Sequence, residues 1–288
     1  VKENTKAGTL YLCSTPIGNL EDMTLRAVRI LKEAAVIAAE DTRHTRKLLS
    51  HFDIHTPLVS YHEHNKAERG PELIAQLAAG ENIAVVSDAG MPGISDPGTD
   101  LVMLALEAGV PVVPVPGANA AVTALVASGL STAQFTFLGF LPKTAKKRRE
   151  LLNQFVNHPY TLVLYESPHR LIATLGELAE IFGDRQAVAA RELTKKFEEF
   201  VRGTLNTLIA HFRQTQPRGE FTLIVAGPLT GEATIPAAPA VSQGLSPAQA
   251  VAYLIGTGVN KKDAIRQVAS ERGIPKREVY QSVIYETD

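Results

Sequence analysis

Residue types able to do chemistry gather where apolar runs stop. Ile83 to Gly98 reads IAVVSDAGMPGISDPG, an apolar run feeding a loop that holds Gly90, Gly93 and Gly98, with Asp88 and Asp96 among them. In an α/β sheet the loop past a strand's carboxyl end is where ligands sit. Glycines let backbone come close to a bound group, and aspartates accept hydrogen bonds from ribose hydroxyls or an amino group. A tight connection made of turn-forming Asp and Gly would account for the same letters. No GxGxxG occurs here, and the Gly-Lys-Ser/Thr ending of a phosphate loop is missing, so neither nucleotide fingerprint applies.

Other run ends are punctuated in the same way. Thr15-Pro16-Ile17-Gly18-Asn19 follows the first, Val115-Pro116-Gly117-Ala118-Asn119-Ala120 a middle one, and Glu166-Ser167-Pro168-His169-Arg170 a later one. Small residues at a helix start suit a bulky flat ligand, or close packing of helix on sheet. Together these loops describe a cleft lined by backbone. Charged clusters also close apolar runs: Glu40-Asp41-Thr42-Arg43-His44, Tyr61-His62-Glu63-His64-Asn65 and Arg191-Glu192-Leu193-Thr194-Lys195. They offer acid–base groups, or an ion-paired network. His62 and His64 would share one face of a strand, but two histidines without a fixed third ligand do not define a metal site, and none is expected. Lys143 to Arg149 (KTAKKRR) is the densest positive run. Basic charge early in a helix opposes the macrodipole, which favours a binding role over a merely solvated one.

The elements that must position these loops alternate. Strands are expected at Thr9–Ser14, Val36–Glu40, Ile83–Asp88, Val110–Pro114, Phe135–Phe140, Tyr160–Tyr165, Gln186–Glu192 and Phe221–Ala226. Several are continuous apolar runs, as when helices cover both faces of a sheet. Helices are expected at Thr24–Lys32, Pro71–Leu77, Pro97–Ala108 and Ala121–Leu130. The alternation argues for an α/β protein. Thr230 to Ser246 is rich in Pro, Ala, Gly and Ser and reads as a linker. Beyond it only helices are expected, Pro247–Ile255, Lys261–Arg272 and Lys276–Tyr285, the last two joined by Gly273-Ile274-Pro275 in the rhythm of a helix-turn-helix.

Composition bounds the partners. With 288 residues, 29 basic and 30 acidic side chains and a net charge of -1, bulk positive charge cannot be how the chain finds nucleic acid; local patches must serve. No apolar run is long enough for a membrane span, and Val1 to Gly8 lacks the apolar stretch of a signal peptide. The single cysteine, Cys13, allows neither an intrachain disulfide nor a cysteine zinc site, so a reducing compartment, the cytoplasm, is expected.

Taken in order, STPIGNLEDMT, AAEDTRHT, YHEHN, VSDAGMPGISDPG, PVPGANAA, YESPHR and ARELTK resemble the tetrapyrrole (precorrin-like) methylase superfamily. Within it, they resemble the branch that methylates the ribose 2′-hydroxyl of a cytidine in 16S ribosomal RNA. The resemblance spans Thr9 to Gly227, and the helical tail is similar to that branch's small C-terminal domain. Met91 stands where the branch has Thr. The resemblance implies two α/β lobes, 1–117 and 118–229, a linker 230–245 and a small all-α domain 246–288. It implies S-adenosylmethionine in the cleft between the lobes, a homodimer, and a cytidine in the decoding region of the small ribosomal subunit as substrate. Mapped onto this sequence, cofactor contacts fall on Pro16, Asp88, Ala89, Gly90, Ile94, Ser95, Asp96, Pro116, Gly117, Asn119 and Ala120. By strand order, Tyr165, Ala190 and Ala226 join them from the second lobe.

Transfer of a methyl from a sulfonium to a hydroxyl rests on orientation, with help from a nearby base. Glu166, Arg170, Arg191, Glu192 and Lys195 are the candidate catalytic residues, since they follow second-lobe strands. A lysine acting as base would need a depressed pKa; as a cation it would steady a developing alkoxide. Phosphate contacts are expected from Arg43, Lys143, Lys146, Lys147, Arg148, Arg149, Lys261 and Lys262. Competing readings are a tetrapyrrole or protein methyltransferase of the same superfamily, a non-catalytic RNA module that binds the cofactor, and a metal-dependent nucleotide hydrolase.

Overall fold

The computed structural model describes residues 7–94, 98–228, 246–256, 260–272 and 274–285. The chain divides into two compact units, 1–229 and 230–288. The first carries two five-stranded sheets. Sheet one comprises β1 (Leu10–Cys13), β2 (Val36–Ala39), β3 (Leu58–Ser60), β4 (Ile83–Val86) and β5 (Val112–Val115). Its order is β3-β2-β4-β1-β5 and every pairing is parallel. Helices α1 (Leu25–Glu33), α2 (Thr42–His51), α3 (Lys66–Ala78) and α4 (Gly98–Glu107) connect its strands. On one face Cys13, Ile37, Ala39, Ala84 and Val86 pack with Ala27, Ile30 and Leu31 of α1. On the other, Leu10, Val36, Ala38, Ile83 and Val85 meet Leu73, Leu77, Leu101 and Ala105 of α3 and α4. Burial on both faces is why β2 and β4 read as unbroken apolar runs.

Sheet two comprises β6 (Phe135–Phe140), β7 (Thr161–Glu166), β8 (Gln186–Arg191), β9 (Glu199–Thr204) and β10 (Phe221–Val225), in the order β6-β7-β10-β8-β9. It is mixed: β6 runs parallel to β7, whereas β10 is antiparallel to both of its neighbours. The small-residue helix α5 (Ala120–Ser128) lays Ala121, Ala124 and Leu125 on Val163, Val188, Ala190 and Ile224. The opposite face is covered by α6 (Ala145–Asn153), α7 (Leu171–Phe182) and α8 (Leu205–Gln214), with Leu152, Leu175, Leu178, Leu208 and Phe212 in one core.

The α/β class expected from the sequence holds. Helices α2, α6, α7 and α8 and strands β3 and β9 are additions to the elements expected. Helix α3 starts at Lys66, ahead of Pro71, because Asn65 accepts the first-turn N–H of Arg69 and Lys66 is held by Asp100 at 2.7 Å. The expected linker 230–245 lies outside the described residues. In the second unit α9 (Pro247–Gly256), α10 (Lys261–Arg272) and α11 (Lys276–Tyr285) enclose a small core of Ala250, Val251, Ala264, Ile265, Val268 and Val279.

Candidate active site

A cavity of about 360 Å³ opens between the two sheets, within the range of sites for cofactor-sized molecules. One wall is the loop after β4. Gly90 pairs with Thr15 of the β1 loop through Thr15 N–H to Gly90 O at 2.9 Å and Gly90 N–H to Thr15 O at 3.1 Å. The Thr15 hydroxyl donates to Ser87 O and the Ser87 hydroxyl to Gly90 O, each at 3.1 Å. Asp88 accepts the backbone N–H of Asp41 at 3.0 Å, which ties the loop to the start of α2. Gly90 has φ of 83°, and a Cβ there would stand 3.3 Å from Ile17 and 3.4 Å from Ala118 O, so glycine alone is unstrained. Met91 accepts a hydrogen bond from the Ser14 hydroxyl at 3.0 Å and lines the cavity where Thr was expected. Asn119 caps α5 by accepting Val122 N–H, presenting Asn119 and Ala120 to the same space.

The facing wall comes from sheet two. Tyr165, Thr222 and Ala190 lie in one row across β7, β10 and β8. Beside them Lys195 donates to Glu192 at 3.0 Å and to Glu220 at 3.2 Å. The loop carrying these groups bends through left-handed backbone at Glu192 (φ 49°) and Thr194 (φ 65°), a strain that collects at functional sites. Burial penalises both charges, yet the Lys195 hydrogen bond and the Glu220 backbone N–H outweigh it and hold the Glu192 carboxyl below its usual range. Burial likewise opposes the Lys195 ammonium, but the Glu192 hydrogen bond and the Glu220 charge raise its pKa. Lys195 is therefore a cation at neutral pH, which favours the second of its two alternatives, steadying a developing alkoxide, over that of a base.

Of the expected cofactor residues, Asp88, Ala89, Gly90, Ile94, Asn119, Ala120 and Tyr165 line the cavity. Ser95 and Asp96 lie outside the described residues. Pro16, Pro116 and Gly117 are not in the lining; Gly117 serves close packing, since a Cβ there would fall 2.7 Å from Ser14 Cβ. Ala190 is fully buried beneath α5. Ala226 is misplaced in the sequence reading. Its strand runs antiparallel to β7 and β8, so Phe221 and Thr222 meet the cavity and Ala226 lies at the other end, roughly 15 Å away along the strand.

The charged candidates also sort. Glu166 is buried, and its carboxylate accepts the Thr174 hydroxyl at 2.6 Å and Ser167 N–H at 2.8 Å, with Arg170 at 3.4 Å. These contacts fix the turn into α7 and hold the carboxylate in place. Arg170 donates to Leu141 O at 3.1 Å. Arg191 pairs with Glu199, its register partner on β9, and so braces the sheet edge. Glu166, Glu192 and Lys195 line the cavity, together with Glu40, Glu220, Phe140 and Thr222, whereas Arg170 and Arg191 are not in its lining. Glu220 and Thr222 were missed because strand direction is invisible in the sequence, whereas Ile17 was legible in its Pro-Ile-Gly turn.

The basic run divides as well. Arg148 is buried and forms a fork with Glu177, while also donating to Pro142 O and Lys143 O at 3.3 Å; it is structural. Arg149 forks onto Glu180, and Arg43 onto Asp41. Lys143, Lys146 and Lys147 are exposed, as are Lys261 and Lys262 in the second unit. His62 and His64 follow β3 in a turn, so they do not share a strand face. Among the described residues no group of three metal-ligating side chains is gathered.

A parallel sheet and a mixed sheet flanking a backbone-lined cavity define a class, and the sequence profile of the Tetrapyrrole (Corrin/Porphyrin) Methylases matches residues 9–209. The chain belongs to that family, the one its motifs resemble. It is 56% identical to the ribosomal RNA small subunit methyltransferase I of Halalkalibacterium halodurans, over 95% of this chain and 93% of that protein. The protein of the same name from Bacillus subtilis is 49% identical, over 95% and 93%. Among solved structures, the fold resembles a uroporphyrin-III C-methyltransferase from Thermus thermophilus complexed with S-adenosyl homocysteine (TM-score 0.54, 24% identity, 76% of this chain and 97% of that one). It also resembles a cobalt precorrin-4 methyltransferase (TM-score 0.56, 17% identity, 76% and 94%).

Proposed function

We propose that this protein is an S-adenosylmethionine-dependent methyltransferase that modifies the ribose 2′-hydroxyl of a cytidine in 16S ribosomal RNA of the small subunit. The observation that carries the reading is the cavity itself, which joins a stapled glycine-aspartate loop to a held lysine cation. A relative 56% identical over nearly the whole chain bears the name ribosomal RNA small subunit methyltransferase I, which supports the ribosomal RNA part of the reading. The lining fits the cofactor's chemistry: Ile17, Met91, Ile94 and Tyr165 offer apolar surface, and Asp88 and loop backbone offer partners for ribose hydroxyls. When bound, the cofactor supplies an electrophilic methyl on its sulfonium.

The protein's own part is positioning and charge. The loop 87–90 and the start of α5 fix one reactant, leaving the hydroxyl to be held in line from the second lobe. Lys195 donates to the 2′-oxygen and stabilises the charge that develops as its proton departs. Glu192 keeps that ammonium aimed, and the exposed Glu220 carboxylate takes the proton toward solvent. Arg43 and Lys143, Lys146 and Lys147 lie on exposed surface suited to phosphates. A homodimer and, with a ribosomal substrate, a cytoplasmic location complete the proposal.

The test supplies methyl-labelled S-adenosylmethionine and small subunits from cells lacking the modification, then digests the RNA with alkali. Label in an alkali-resistant cytidine dinucleotide is expected, because 2′-O-methylation blocks cleavage of the next phosphodiester. Label in a mononucleotide would mean base methylation, and no label would refute the substrate.

A further inference from the structure

Phe140 has no role in the chemistry above, yet its placement is specific. Register along β6 shifts between Phe137 and Gly139, and Gly139 has φ of 61°. Phe137 faces the same side as Val163, while Leu138 packs into the core on the opposite face. Strict alternation would then send Phe140 to that opposite face as well. The bulge restores it to the cavity side, directly opposite Tyr165, which both phenyl rings touch at centroid distances of 5.0 and 5.5 Å. Bulges beside functional sites re-aim side chains in this way. The result is an aromatic ring that lines the cavity while remaining 57% exposed.

The segment behind it is pinned. Arg170 holds Leu141 O, Arg148 holds Pro142 O and Lys143 O, and the two arginines are anchored by Glu166 and Glu177. Exposed Lys143, Lys146 and Lys147 follow directly. S-adenosylmethionine carries no phosphate, so the juxtaposition of an open ring and three lysines suits a phosphodiester chain with an unstacked base.

We propose that Phe140 is a stacking platform for a base of the RNA substrate at the cavity mouth, with Lys143, Lys146 and Lys147 on the adjoining phosphates. This rests on the ribosomal RNA reading. Base–aromatic stacking is sequence-tolerant and supplies affinity for splayed single-stranded nucleotides. Arg148 and Arg170 act as positioning residues for the platform.

The chain contains no tryptophan, so Phe140→Trp creates a single fluorescent reporter. Its emission is expected to be quenched by a short cytidine-containing RNA and not by the same strand made abasic. In subunit methylation, Phe140→Ala should lose about 10- to 100-fold in kcat/KM and Phe140→Leu most of that, with Phe140→Trp close to wild type. Affinity for S-adenosylhomocysteine should stay within about twofold in all three. Replacing the three lysines with Gln should flatten the log–log salt slope of RNA affinity by about 2. A fully active Phe140→Leu, equal quenching by the abasic strand, or a parallel loss of cofactor affinity would each overturn the platform. Failure of the wild type to methylate subunits would instead sink the ribosomal RNA reading, while the quenching experiment still decides the stacking.

Discussion

Sheet one and sheet two meet the same cavity on different terms. In the parallel sheet every strand points its carboxyl end the same way, so the loop after β4 and the loop after β1 arrive together and staple through Thr15 and Gly90. In the mixed sheet β10 runs the other way, and the cavity receives Glu220 to Thr222 from its start. The first sheet contributes mostly backbone and short side chains to the cavity; the second contributes the ion-paired cluster of Lys195, Glu192 and Glu220. Binding and charge stabilisation are thus divided between an architecture whose loops converge by symmetry of direction and one whose loops must be aimed individually. Left-handed backbone at Glu192 and Thr194 and the bulge at Gly139 are the devices that aim them.

Substitutions at the cavity separate the two contributions. Lys195→Met should cut kcat by about 10²- to 10³-fold with cofactor affinity retained, as measured by steady-state turnover beside calorimetry. A matching loss of cofactor affinity would move Lys195 from transition state to ground state. On the other side, Gly90→Val should weaken S-adenosylhomocysteine by about 10- to 100-fold, since a branched residue at that φ costs 1–3 kcal/mol in strain and crowds Ile17. Retained affinity there would place the cofactor away from the stapled loop.

Three further changes probe the second sheet alone. Arg148→Met should destabilise the protein by about 2–4 kcal/mol, because it leaves Glu177 half-buried without its partner. The Arg148 hydrogen bond lowers the Glu177 pKa in the folded state. That contribution is therefore fully present above the ordinary carboxylate range and is lost as pH falls through the lowered folded value. The gap between wild type and variant in denaturant melts should be widest near neutrality and close in acid; a gap constant with pH would deny the ion pair its role. The smallest effect tests strand direction. Thr222→Leu should weaken cofactor binding by about tenfold through crowding, whereas Ala226→Ser should leave it unchanged. Equal effects would mean that both ends of β10 matter.

Much of this was legible in the letters. Continuous apolar runs, Gly-Asp punctuation and the order of the motifs determined an α/β chain, its family and the loop of Asp88 to Ile94, because strand burial and backbone approach to a ligand impose local residue types. They could not show that β10 is reversed, which is why Ala226 was expected at the cavity and Thr222 was not. Nor could they sort a run of like charges: KTAKKRR looks uniform, yet Arg148 turns inward to Glu177 and Arg149 pairs at the surface with Glu180, both on α7, while its lysines stay in solvent. Strand direction and the pairing of charges are settled between segments far apart in the chain. Glu166 is the plainest case, an acid at a strand end whose identity suggested a base and whose buried hydroxyl, amide and guanidinium partners make it a structural anchor. Sequence determines which groups are present and their local turns; only packing decides which of them face one another across the cavity, because proximity between distant segments is set by how both sheets bury their apolar faces.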